Sequence, residues 1–160
     1  MPDSYEDFRT ATLSPLVSVT PSYTAGDCLG VAAPYTLSGI LRGLQAGGEG
    51  GSIYLHAIRI YDKAKKDIPI DVVIYNANPT ATTFTDNTAQ TINDADLVRQ
   101  IAVVPVVTYH DYADNSIGKA DNLGIALTVA ASRDLYVSLV ARGTGAYAAS
   151  GDLSVYLVFV

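Results

Sequence analysis

The 160-residue chain has no tryptophan, one cysteine and two histidines, and each scarcity closes off some chemistry. With Cys28 alone, neither an intrachain disulfide nor a paired-cysteine zinc site can form, so the thiol reads as a small apolar residue. The lack of tryptophan weakens any sugar-stacking site. Charged residues make up only 16% of the chain, beside 49% hydrophobic residues; a typical chain carries about 25% charge. So few charges leave little to solvate an isolated surface, and part of that surface is expected to be buried in an assembly. The net charge of -6 and pI near 4.6 oppose attraction to phosphate backbones and anionic membranes. Neither nucleic acid nor a membrane is expected as a partner. No run approaches the roughly 18 consecutive apolar residues of a membrane helix. The acidic start, Met1 to Arg9, lacks the basic and apolar regions of a secretory signal. A soluble protein made in a reducing compartment is the expectation.

What is present is β pattern. Leu153 to Val160 alternates like a half-buried strand, and Leu135 to Arg142 is its near twin. Small and turn-forming residues from Gly143 to Asp152 join them, which predicts an antiparallel pair. Ser52 to Tyr61 and Asp71 to Asn76 are rich in β-branched and aromatic residues and read as central strands, joined by a hairpin or a Greek-key crossing. Lys63, Lys65 and Lys66 then sit in a solvated turn between them. Further strands are expected at Ser14 to Val19, Leu37 to Leu44 and Gly124 to Ala130, and at Ile101 to Tyr109, where Pro105 marks a sheet edge. Gly47 to Gly51 reads as a loop, and so does His110 to Asp121. Thr85-Asp86-Asn87 suits the cap of a short helix running toward Gln90, with a second short helix after Asp94. About eight strands without alternating long helices predict an all-β, single-domain β-sandwich, jelly-roll-like, with one or two short helices. Residues 1–12 are read as an N-terminal arm and residues 13–160 as the sandwich domain.

Little reactive chemistry is written on this scaffold. His56 lies mid-strand and His110 lies beside Asp111 and Asp114, and neither pairs with a recognisable nucleophile. Asp86, Asp94 and Asp96 suggest a calcium site, but the Asp-x-Asp-x-Asp-Gly pattern with a distal Glu is missing, so local capping is preferred. The glycines from Gly47 to Gly51 lead into no Gly-Lys-Ser/Thr ending and no dinucleotide fingerprint. A glycosidase would need two opposed carboxylates, and nothing in the sequence singles out a pair. No catalytic, cofactor-binding or metal residue is assigned, and an enzyme is not expected. The 11 tyrosines combine ring area with a polar tip, a composition suited to interfaces.

Three stretches resemble a group of small proteins encoded among the structural genes of tailed bacteriophages. They are Tyr23-Thr-Ala-Gly-Asp-Cys-Leu-Gly30, Asn78-Pro-Thr-Ala-Thr-Thr-Phe-Thr-Asp-Asn87, and Leu135 to Gly143 followed by Ala146 to Ser154. The resemblance implies a virion protein, a head decoration or cement protein that binds the major capsid protein as an oligomer, such as a trimer. It brings no catalytic residue and no cofactor, and it implies contacts spread over termini and loops. A carbohydrate- or receptor-binding module of the virion is the alternative, with Tyr109 and Tyr112 as candidate loop aromatics.

Overall fold

A computed structural model describes residues 8–31, 33–38, 51–129 and 134–160. Ten strands and one helical turn follow in order: β1 (Arg9–Leu13), β2 (Tyr35–Leu37), β3 (Gly51–Asp62), β4 (Ile70–Tyr75), α1 (Asp94–Leu97), β5 (Gln100–Val106), β6 (Tyr109–Asp111), β7 (Ser116–Ala120), β8 (Ile125–Val129), β9 (Leu135–Ala141) and β10 (Leu153–Phe159). Two antiparallel sheets pack as a sandwich. One is six-stranded, in the order β1-β10-β3-β7-β6 with β8 also pairing β3, and the other is four-stranded, in the order β2-β9-β4-β5.

The pairings β1 with β10, β2 with β9, β3 with β8 and β4 with β5 are those of one long antiparallel ribbon folded back on itself. Successive pairs along that ribbon fall in alternate sheets, which is the jelly-roll winding. The β6-β7 hairpin is an addition to this plan, extending the lane of β8 along β3 and widening the sheet. Strict alternation drives β10 into place. Val155, Leu157 and Phe159 are fully buried, while Ser154, Tyr156 and Val158 point outward. Burying each of those three apolar side chains is worth about 1.5 to 3 kcal/mol. They meet Leu13, Leu55, Ile58 and Ile60 of their own sheet and Val72, Ile74, Val137 and Leu139 of the other in one continuous core.

Several expectations are corrected. The sandwich starts earlier than residue 13, because Arg9–Leu13 pairs with β10 along its whole length; any arm is shorter than residues 1–12. Residues 14–19 form no strand. They remain extended, with Leu13, Pro15 and Val17 buried in alternation, but Pro15 has no N–H to give a ladder. β9 and β10 are not a hairpin, since each belongs to a different sheet and the stretch between them crosses the sandwich. The lysine turn likewise crosses from β3 to β4, so the hairpin alternative for those strands falls. Asp86 to Gln90 is not helical, although α1 stands where the second helix was expected. His110 to Asp121 contains β6 and β7 instead of one loop, while Pro105 does lie on an edge strand, β5. Residues 39–44 of the expected strand at 37–44, and residues 47–50 of the glycine loop, lie outside the described residues.

Candidate interaction surface

The two sheets differ in what covers their outer faces. On the four-stranded sheet the outward Val73, Tyr75 and Val140 are buried beneath Phe84 and Ile92 and beside Tyr136 of β9, and together they form a second apolar cluster. The covering chain is the long connection from β4 to β5. It is pinned by α1, where the Asn93 side chain accepts from the Ala95 N–H at 3.0 Å and fully buried Asp96 accepts from the Ala81 N–H at 2.8 Å. Arg99 Nη1 lies 3.0 Å from the other Asp96 oxygen.

A second joint ties that connection to residues 18–30. Asp86 Oδ1 accepts from the Tyr23 hydroxyl and from the Gly30 N–H, both at 2.6 Å, and Oδ2 accepts from the Ser18 hydroxyl. Backbone bonds run alongside, from the Cys28 N–H to Thr88 O and from the Asn87 N–H to Cys28 O, each at 2.9 Å. Two of the stretches quoted for the phage resemblance are therefore docked on each other. Burial and the nearby Asp86 carboxylate raise the Tyr23 hydroxyl above its ordinary range and push the Cys28 thiol up to about 12. Cys28 is thus inert apolar filling, and Asp86 is a structural anchor instead of a helix cap.

At one end of the sandwich Asp62 closes the lysine turn by accepting from the N–H groups of Ala64, Lys66 and Asp67. Lys63 and Lys65 donate to the carbonyls of Gly151 and Tyr112. The lysines serve as spacers on a solvated turn. Tyr109 is no loop aromatic: it lies on β6, half-buried, and its hydroxyl donates to Ile68 O at 2.6 Å. Tyr112 is half exposed against the His110 ring.

No such cover lies over the six-stranded sheet among the described residues. Its outward face carries Tyr54, His56, Arg59 and Tyr61 from β3, Ser154, Tyr156 and Val158 from β10, Ile117 and Lys119 from β7, and His110 from β6. Register fixes the rows: Thr12, Tyr156, Arg59 and Lys119 stand side by side, and so do Ser154, Tyr61, Ile117 and His110. Tyr61 and Tyr156 meet edge to face, with ring centroids 4.9 Å apart. They border an open depression of about 360 Å³ that Lys63, Asn115, Ile117 and Ser154 also line. Exposures of 52% for Tyr54 and 40% for Tyr61 leave ring area open among the described residues. Arg59 pairs with Asp121 at the end of the row.

The candidates for chemistry are dispersed across this scaffold. His56 packs against Phe8 and His110 against Tyr112, on strands separated by β7. Asp86 and Asp96 are spent on the joints described above, on the far side of the molecule. Among the described residues no three His, Cys, Asp or Glu side chains are grouped to hold a metal ion. The open face was missed by sequence reading, although the alternation in residues 52–61 and 153–160 already put Tyr54 and Tyr156 on the side away from the core.

No protein-family model, curated protein or solved structure matches the chain. The phage resemblance therefore rests on its three sequence stretches, and the fold rests on the structure.

Proposed function

We propose that the protein is a structural, adhesive component of a virus particle, a decoration or cement protein that binds the head shell as an oligomer and bridges neighbouring capsid subunits. The observation that carries this reading is the outward face of the six-stranded sheet, where, among the described residues, Tyr54 and Tyr61 are exposed beside half-buried Tyr156, while Val73, Tyr75 and Val140 on the opposite sheet are covered by the β4-β5 connection. Tyrosine supplies large contact area at low entropic cost and a hydroxyl for the rim, which suits a lasting protein contact. The jelly roll is used by capsid proteins, lectins and cupins alike, so the fold gives an analogy only, and the face must decide.

The test is co-sedimentation of the purified protein with heads that lack it, together with its copy number in intact particles. Hundreds of copies, and binding weakened at least tenfold by Y61S/Y156S, are expected. A stable monomer that ignores heads overturns the proposal.

A carbohydrate-binding module is the second reading. The depression beside Tyr61 and Tyr156 favours it, because a ring wall faces the polar side chains of Asn115, Ser154 and Lys63. Glycan-array binding that disappears in Y61S/Y156S, without binding to heads, selects it.

A further inference from the structure

We propose that Tyr61 and Tyr156 form an oxidative cross-linking site, at which a peroxide-driven one-electron oxidant joins the two phenol rings and staples β10 to β3. The register places them for it. Tyr61 stands opposite Ser154 and Tyr156 opposite Arg59, so the two are diagonal neighbours on adjacent strands of the outward face, a spacing that aromatic side chains reach across. Their ring centroids lie 4.9 Å apart, edge to face, so the edge of one ring already rests against the other. Both border the open depression of about 360 Å³, which leaves the ring edges open to an oxidant and gives the rings room to turn. Exposed side chains change rotamer within picoseconds to nanoseconds, so the edge-to-face start is no obstacle to coupling.

Competing electron donors are scarce. The chain has no tryptophan, and Met1 is its one methionine. Cys28 is buried and its thiol is pushed up to about 12, so no reactive thiolate competes. The other tyrosine pair among the described residues, Tyr23 and Tyr147, is closed off: its centroids are 6.1 Å apart, both rings are buried, and the Tyr23 hydroxyl donates to Asp86. At the surface pair the step balances. Hydrogen peroxide, activated by a haem peroxidase, takes one electron from each phenol while each O–H releases its proton. The two phenoxyl radicals form a C–C bond between ring carbons ortho to the oxygens, and the hydrogens on those carbons move to the oxygens. A dityrosine results, the protein has lost two hydrogen atoms, and the peroxide has become two waters. Rings in contact within one chain meet at an effective concentration of at least about millimolar, which favours this bond over coupling between molecules in dilute solution.

With Cys28 alone the chain has no disulfide of its own, and the tyrosine link supplies the same kind of constraint. It fastens β10, to which β1 is paired, onto β3. Joining positions 61 and 156 closes a loop over more than half of the chain, and links across long loops constrain the unfolded state most. The site is independent of any shell and is tested on the isolated full-length protein, treated at low micromolar concentration with hydrogen peroxide and a haem peroxidase. The product should remain a monomer, lose the mass of two hydrogen atoms, fluoresce as dityrosine and yield on digestion a peptide joining Tyr61 to Tyr156. Its melting temperature should rise by about 10 °C. Fluorescence of the monomer should fall at least tenfold in Y61F and in Y156F and persist in Y54F. Absence of the Tyr61-Tyr156 peptide from the wild-type digest overturns the site, whatever the variants do. Cross-links found only between molecules and rising with protein concentration overturn it too, and a linked monomer that melts no higher than the untreated protein overturns the staple.

Discussion

The Tyr23 hydroxyl donates to Asp86 Oδ1 at 2.6 Å, joining residues 63 positions apart. This contact locks the early loop onto the cover of the four-stranded sheet, and the Gly30 N–H shares the same oxygen. Removing the carboxylate strands three donors at once, whereas removing the phenol hydroxyl strands one carboxylate lone pair and the Ser18 N–H that donates to that hydroxyl at 2.6 Å. Asp86→Ala should therefore cost about 2 to 4 kcal/mol and Tyr23→Phe about 1 to 2 kcal/mol, because hydrogen bonds to charged groups contribute about 1.5 to 3 kcal/mol each. Urea unfolding midpoints at neutral pH check the order. Equal losses would show that Asp86 has no role beyond Tyr23.

Gly26 and Gly30 bracket the same loop, with φ of +102° and +97°. Each occupies backbone that L side chains rarely adopt, but their surroundings differ. A Cβ at Gly26 meets nothing within 4 Å, while one at Gly30 would lie 1.9 Å from the Tyr35 hydroxyl and 2.9 Å from Pro15 Cβ. Gly26→Ala should cost only the conformational penalty, about 1 to 2 kcal/mol. Gly30→Ala should cost more, about 3 kcal/mol or above once the clash is added. At about 2 to 4 °C per kcal/mol for a chain of this size, melting temperatures separate the two.

The legible part of the fold was periodicity, and the illegible part was partnership. β9 and β10 are near twins in sequence, yet β9 is buried at nearly every position and β10 only at alternate ones. The reason is the cover from the β4-β5 connection, which no pattern inside either strand announces. Asp86 was misread for a related reason. Thr-Asp-Asn looks the same whether its carboxylate bonds to the next turn of a helix or to a tyrosine far away in sequence. On β3, Ala57 and Ile58 are both buried, opposite a register shift at Val158/Phe159. Such a shift changes which parity faces solvent, so Tyr54 and Tyr61 share the open face despite their odd spacing.

Alkaline pH should weaken the protein. Burial, with Asp86 adding to it, raises the Cys28 thiol from its ordinary 9.0 to about 12, and burial also raises Tyr23, Tyr35, Tyr75, Tyr109 and Tyr147. The unfolded chain releases these protons at lower pH than the folded one, so it binds fewer protons above about pH 9. Stability is then fully present below pH 9 and falls as pH climbs toward 12. Chemical unfolding at pH 7, 9 and 10.5 should show that decline. At pH 8 Cys28 should resist iodoacetamide in the native state and react once urea unfolds the chain; rapid native alkylation would contradict its burial.

β10 lies between β1 and β3, so its loss removes two ladders at once. Phe159 is fully buried, while Val158, its neighbour on the outward face, is not. Phe159→Ala should cost about 3 to 5 kcal/mol, and Val158→Ala less than about 1 kcal/mol. Even Val160, beyond the end of the strand, exchanges backbone hydrogen bonds with Tyr54 at 3.0 and 3.1 Å. Deleting Leu157 to Val160 takes away that pair, two fully buried side chains and three of the five partners of β1, a combined loss that reaches the whole stability of a typical domain, about 5 to 15 kcal/mol. The truncated chain should show neither the β-sheet circular dichroism of the native protein nor a cooperative melt. A cooperative melt within about 10 °C of the full chain would mean that the sandwich closes without its central strand.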